Sequence, residues 1–307
     1  MIFKALKSNS PLVIFYYILL SILLWLFTFI NYRSIEIIFT SNQMPFYNVI
    51  IGWINQGSLF SLIISLVMII IQGFLLIRIN QKHIIINTST YFPAIIYMLI
   101  VSSNLSYQQL NPMVFANFFL IFVIDYIYSI YKGDYILNKL YLIGFFVALA
   151  SLFYFPYIFL LVFIWISLLI FKPFSGREWF VPILGLLTPY LFLFVYLFLN
   201  DDVNYLVEAI ENFSFEFSII VPSLPYIIFY SFFSLLLVVA SISTARRVTM
   251  KKIKVRKYFN INWWVFILGI VLFLFVTNVS YEILYLIAIP SSFFITEYFY
   301  NIRKNIY

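Results

Sequence analysis

The chain has 307 residues and a net charge of +7, with 64% of its residues hydrophobic and only 9% charged, whereas a soluble domain carries about a quarter charged residues. That balance excludes a water-soluble globule. Zero Cys and a single His, His83, exclude disulfides, thiolate nucleophiles and multi-His metal clusters, so no metal site of these kinds is expected and any cation chemistry would rest on carboxylates.

Read from the N-terminus, Lys4 and Lys7 precede a long apolar run with no small-residue cleavage site after it. This predicts a retained first helix and not a removed signal peptide. A spanning helix needs roughly 20 mostly apolar residues, and ten segments are candidates: 12–30, 57–77, 91–104, 112–131, 140–154, 156–171, 181–199, 221–244, 262–277 and 282–300. The tightest boundary is Tyr154-Phe155-Pro156, where two helices meet with almost no loop and Pro suits a helix start. No repeat period and no hydrophilic domain interrupts the pattern. The expected fold is an all-α polytopic transmembrane bundle of ten spans, forming one integral membrane domain over 1–307.

Lys and Arg collect in cytoplasmic loops, whereas Asp and Glu carry little orientation information. With the N-terminus inside, all 18 basic residues except Arg33 fall on the inner side, which predicts both termini in the cytoplasm. The positive charge is therefore topological, and nucleic acid is not an expected partner. Phe, Tyr, Ile and Asn are abundant and have AT-rich codons, which points to a low-GC bacterium, and with the spans above the expected location is the bacterial inner membrane.

Three polar excursions stand out, about 31–56 and 200–218 on the expected outer side and 245–260 on the inner side. In the first, Phe46, Tyr47, Ile50, Ile51 and Ile54 form a helical stripe after Pro45. In the second, Val203, Leu206, Val207, Ile210 and Phe213 recur on one face, opposite Asp202, Asn204, Glu208, Glu211 and Asn212. Two such interfacial helices could roof a cavity open to the outer leaflet.

The candidate chemistry is sparse. Glu36 lies just beyond the first span within a helical turn of Arg33; the weak-pair argument favours an interfacial acid paired with its neighbouring Arg, and the functional alternative is a general base or a carboxylate holding a divalent cation and a lipid phosphate. Asp125, in the fourth segment, is the notable intramembrane acid, because a charge at that depth faces the bundle interior or water; near the interface it would reach Tyr128, Lys132 or solvent. Glu297 poses the same choice beside Arg303 and Lys304. Arg246, Arg247, Lys251 and Lys252 are placed to touch anionic head groups of the cytoplasmic leaflet, or to anchor topology alone. Gly144 and Ala148 form a small-xxx-small pair that permits close helix contact. No phosphate-cradling glycine loop, nucleophile elbow or metalloprotease helix occurs.

The stretches Asn111-Pro112-Met113-Val114-Phe115-Ala116-Asn117-Phe118-Phe119, Ala148-Leu149-Ala150-Ser151-Leu152-Phe153-Tyr154-Phe155-Pro156 and Arg177-Glu178-Trp179-Phe180-Val181-Pro182 resemble an uncharacterised multi-pass family of Bacteroidota membranes. That resemblance covers the middle third of the chain and implies no mechanism. The layout also resembles, more loosely, the GT-C membrane glycosyltransferases. It implies a polyprenyl-phosphate sugar donor at the outer leaflet and an essential acid in the first outer loop, the position of Glu36, with Arg33 near the phosphate. The paired acidic motif of that group is missing here, so a catalytically degenerate relative is an equal expectation. The alternatives are a non-enzymatic membrane subunit that partners envelope proteins in an assembly or secretion complex, and a transporter.

Overall fold

A computed structural model describes residues 11–32, 44–54, 57–86, 90–105, 108–131, 133, 135–202, 224–275 and 283–304. The described chain is all-helical, with eleven α-helices and no strand. In chain order they are α1 (Pro11–Ile30), α2 (Pro45–Trp53), α3 (Leu59–His83), α4 (Phe92–Val101), α5 (Pro112–Ile130), α6 (Ile136–Phe153), α7 (Leu160–Phe171), α8 (Gly176–Leu199), α9 (Leu224–Val248), α10 (Ile253–Phe275) and α11 (Leu284–Lys304). A single 3-10 turn, Phe155–Phe159, separates α6 from α7 and carries Pro156 in its first positions, where the missing N–H costs nothing.

Each of the ten apolar segments contains a helix. Seven helices among the described residues are long and apolar enough to cross a membrane: α1, α3, α5, α6, α8, α9 and α10. The other three segments differ for separate reasons. Helix α4 has only ten residues, and the turn plus α7 reach from Phe155 to Phe171. Helix α11 carries Pro290, Ser291, Ser292, Thr296 and Glu297 before ending on Arg303 and Lys304.

Local chemistry sets several of the helix starts. The Ser58 side chain accepts from the Ser61 N–H at the head of α3, and Asn111 accepts from the Val114 N–H at the head of α5, with Pro112 in the first turn. Each such cap contributes about 1 kcal/mol. Helices also run beyond their apolar stretches. Helix α3 continues through Arg78 and Lys82 to His83, and α9 and α10 consume most of the expected basic loop at 245–260, leaving only residues 249–252 between them. Hydropathy marks where a helix is apolar, whereas the backbone ladder continues into polar sequence as long as its bonds can be made.

Helix α11 is the hub. Residues 285–297 are buried without exception, and the helix packs against α4, α9, α10 and α5. Helices α1, α8 and α9 lie outside, with exposed apolar residues such as Phe15, Leu23, Phe192, Phe194, Leu235 and Val239. The most extensive pairing is α6 with α8. A Cβ on Gly144 would stand 2.0 Å from the Pro182 carbonyl oxygen, and one on Gly185 would stand 2.1 Å from the Tyr141 carbonyl oxygen. Glycine on both helices is therefore what lets the two backbones touch.

At the centre, Gln72 of α3 donates to the Val114 carbonyl at 2.6 Å, and Tyr97 of α4 donates to Gln72 at 2.5 Å. Asn117 of α5 donates to the Tyr97 hydroxyl and to the Tyr285 carbonyl of α11, each at 2.8 Å. The Tyr157 hydroxyl donates to Asn117 at 3.2 Å. The network bonds α3, α4, α5, the 3-10 turn and α11 where water is excluded, so each donor must find its partner within the protein.

Candidate functional site

Four contacts gather helix ends on one side of the bundle. Lys82 at the end of α3 meets Asp125 near the end of α5. The Lys139 ammonium at the start of α6 donates to the Ser129 carbonyl at 3.0 Å, and that of Lys257 in α10 donates to the Phe171 carbonyl at 3.2 Å. Lys251, in the α9–α10 connection, pairs with Glu297 of α11 at 2.6 Å. This is the basic end.

Its centre is a three-residue ionic site. The Lys82 ammonium donates to both Asp125 oxygens, at 3.0 and 2.8 Å, and the His83 Nε2 lies 2.7 Å from Oδ1. The His83 side chain is only 5% exposed, Asp125 17% and Lys82 45%, so the site grades from buried to open. The rings of Tyr128 and Tyr258 stand edge-on to His83 at 5.4 and 5.6 Å. Tyr258 donates to the Tyr128 carbonyl and Tyr128 to Asn262, at 2.9 and 2.8 Å. Asp125 meets two residues of α3, brought there because α3 runs past its apolar stretch; of its expected partners Tyr128 donates to Asn262, and Lys132 lies outside the described residues. Glu297, 1% exposed, pairs with Lys251 of the α9–α10 connection. Lys251 also stands 4.9 Å from the Phe259 ring, so of the four expected head-group ligands it is committed to the bundle. Arg246 and Lys252 are exposed and Arg247 half-buried.

The opposite end is built differently. Helix α2 lies across the ends of α6 and α8, the first expected interfacial helix in its expected place in the sequence. Its Tyr47 is buried and donates to the Leu110 carbonyl at 2.7 Å, while Phe46 meets Phe153 edge-on at 5.8 Å. Between α2, α6 and α8 opens a cavity of about 1000 Å³. Its walls are Pro45, Phe46, Val49 and Ile50 of α2, Phe145, Leu149 and Phe153 of α6, and Pro189, Phe192, Leu193, Tyr196 and Leu197 of α8; Asn48 and Asp202 supply polar edges. Below it, Tyr190 and Ser151 bond at 2.8 Å and tie α8 to α6.

Arg33 and Glu36 lie outside the described residues, as does the second expected interfacial helix over 203–213. The chain enters the described structure again at Met44, which packs with Leu152, Leu193 and Leu197 beside the cavity, and leaves it after Asp202, on the cavity edge. Among the described residues no group of three or more His, Asp or Glu side chains could hold a metal ion. No family model matches the chain, and neither a curated protein nor a solved structure matches it.

Proposed function

We propose that this chain is a multi-pass protein of a bacterial inner membrane that holds the hydrocarbon part of a lipid in the cavity between α2, α6 and α8. The observation that carries the reading is the cavity itself: about 1000 Å³, walled by aromatic and aliphatic side chains on two membrane-length helices and one short helix. In a bilayer such a space is filled by acyl or isoprenoid chains, since neither water nor a polar solute is stable against those walls. The basic end then lies in the cytoplasm by the positive-inside rule, and the cavity opens toward the outer leaflet. In this arrangement α4, α7 and α11 complete a ten-segment bundle within the bilayer, shielded by the longer helices.

A lipid-linked sugar on a polyprenyl phosphate is the ligand class that unites the cavity with the GT-C-like layout. Arg33 and Glu36 lie in the chain segment between α1 and α2, with Arg33 assigned to the phosphate and Glu36 to the acid or cation-holding role. Photoactivatable polyprenyl phosphate, added to the protein in nanodiscs, should crosslink to α2, α6 or α8 and be competed by unlabelled lipid. Labelling spread over α1 and α9 would reject the site. Loss of sugar transfer in Glu36→Gln with crosslinking intact would assign catalysis to that acid.

A non-enzymatic membrane subunit is the second reading. It is favoured by the basic end, where Asp125 and Glu297 are committed to Lys82, His83 and Lys251 and knit helices together. In that case the crosslink persists and no transfer activity accompanies it.

A further inference from the structure

The basic stretch 246–257 does not present its charges evenly. Lys251 is paired with Glu297, and the Lys254 ammonium lies over the Tyr258 ring at 5.5 Å. Lys257 is held by the Phe171 carbonyl and by the rings of Tyr131 and Phe171, at 5.4 and 5.9 Å. One carbonyl uses one of the three ammonium protons, so Lys257 retains donors in a fixed position. Beside it, Arg256 and Asn260 are exposed, and among the described residues none of the ion pairs involves Arg256. Ile253, Arg256, Lys257 and Asn260 line a shallow cavity of about 360 Å³, with no acid among its described lining residues.

The same helix face continues as hydrocarbon. Ile253, Trp264, Ile267, Val271 and Leu274 are exposed, and with Arg256 and Asn260 they follow one another at intervals of three or four residues, one stripe along α10. The change from polar to apolar falls between Asn260 and Trp264, about 6 Å along the axis at 1.5 Å per residue. A Trp at such a boundary marks the level of lipid head groups.

We infer that this face of α10 is a binding site for one anionic phospholipid, its phosphate held by Arg256, Lys257 and Asn260 and its chains lying along Trp264, Ile267, Val271 and Leu274. Two cations and one neutral amide, with no acid among the described residues of the lining, suit a phosphodiester, which Arg can meet with two parallel N–H donors. The apolar stripe directly beneath suits a molecule carrying chains and not a free phosphate. This site is distinct from the cavity between α2, α6 and α8 and does not depend on the reading of that cavity.

The test is lipid retention by the full chain, extracted from nanodiscs made of equal parts phosphatidylcholine and phosphatidylglycerol and read by native mass spectrometry. The wild type should retain phosphatidylglycerol preferentially. Arg256→Ala should lower that retention about fivefold, the effect of one cation near a membrane surface, whereas Arg256→Lys should keep most of it and Arg246→Ala nearly all. Asn260→Leu leaves both cations in place and should give a smaller loss, which separates a missing ligand from a misfolded protein. Inorganic phosphate should not release the bound lipid. Equal retention of the two lipids, unchanged retention in Arg256→Ala, an equal loss in Arg246→Ala, or release by inorganic phosphate would each overturn the inference.

Discussion

The two ends of the bundle are built mainly from different helices and in opposite ways. At the basic end, α3, α5, α10 and α11 are tied together by ionic and aromatic contacts: Lys82, His83 and Asp125 in one site, Lys251 and Glu297 in another. At the other end, α2, α6 and α8 stand around a cavity with almost no polar wall. A buried charge with a partner ties elements together because losing the partner is costly, and an apolar cavity carries no such penalty when it is filled by lipid. On the proposed reading the basic end acts as the fixed frame and the cavity end as the surface that a lipid meets.

Changes to the frame should cost stability and changes to the cavity should cost ligand. The largest loss is expected for Glu297→Ala, which strands the Lys251 ammonium, itself 15% exposed. Stability should fall by about 3–5 kcal/mol, seen as a lower midpoint in detergent melting. Replacing both partners, Lys251→Met with Glu297→Leu, should recover most of it, because an apolar pair leaves no orphaned charge. Asp125→Ala should follow at about 1.5–3 kcal/mol, since half-exposed Lys82 turns to water while His83 loses its partner; amide exchange at the end of α3 should rise with it.

Gly144→Ala comes next, with roughly 1–3 kcal/mol from forcing α6 off the Pro182 backbone, checked by the same melting measurement. Smallest in stability is Leu149→Trp, a wall residue of the cavity, which should change the melting midpoint by no more than about 0.5 kcal/mol equivalent while abolishing lipid crosslinking at α2 and α8. A large loss of stability from Leu149→Trp with lipid labelling retained would reverse the assignment of frame and ligand surface.

Much of the fold is legible in the sequence, because a membrane helix announces itself by an apolar run of fixed minimum length. The break at Tyr154-Phe155-Pro156 and the helix after Pro45 are readable in the same way, from proline position and periodicity. Contacts between helices are not. Nothing near Asp125 in the sequence points to Lys82 and His83 of α3, and no hydropathy pattern carries that helix through to His83. Gly144 signals close packing, while its contact at Pro182 and the reciprocal Gly185 contact need the paired helices. The cavity arises from the crossing of α2 over α6 and α8, a relation among three distant segments with no local signature. Glu297 likewise lies close in sequence to Arg303 and Lys304, and nothing local announces its pairing with the distant Lys251.

The measurement that tests the central claim most directly is a cryo-EM map of the protein extracted in native lipid, read between α2, α6 and α8. Continuous elongated density against Phe145, Leu149 and Phe192 is the predicted result. A cavity closed by its own side chains, or one holding only disordered solvent, would contradict it.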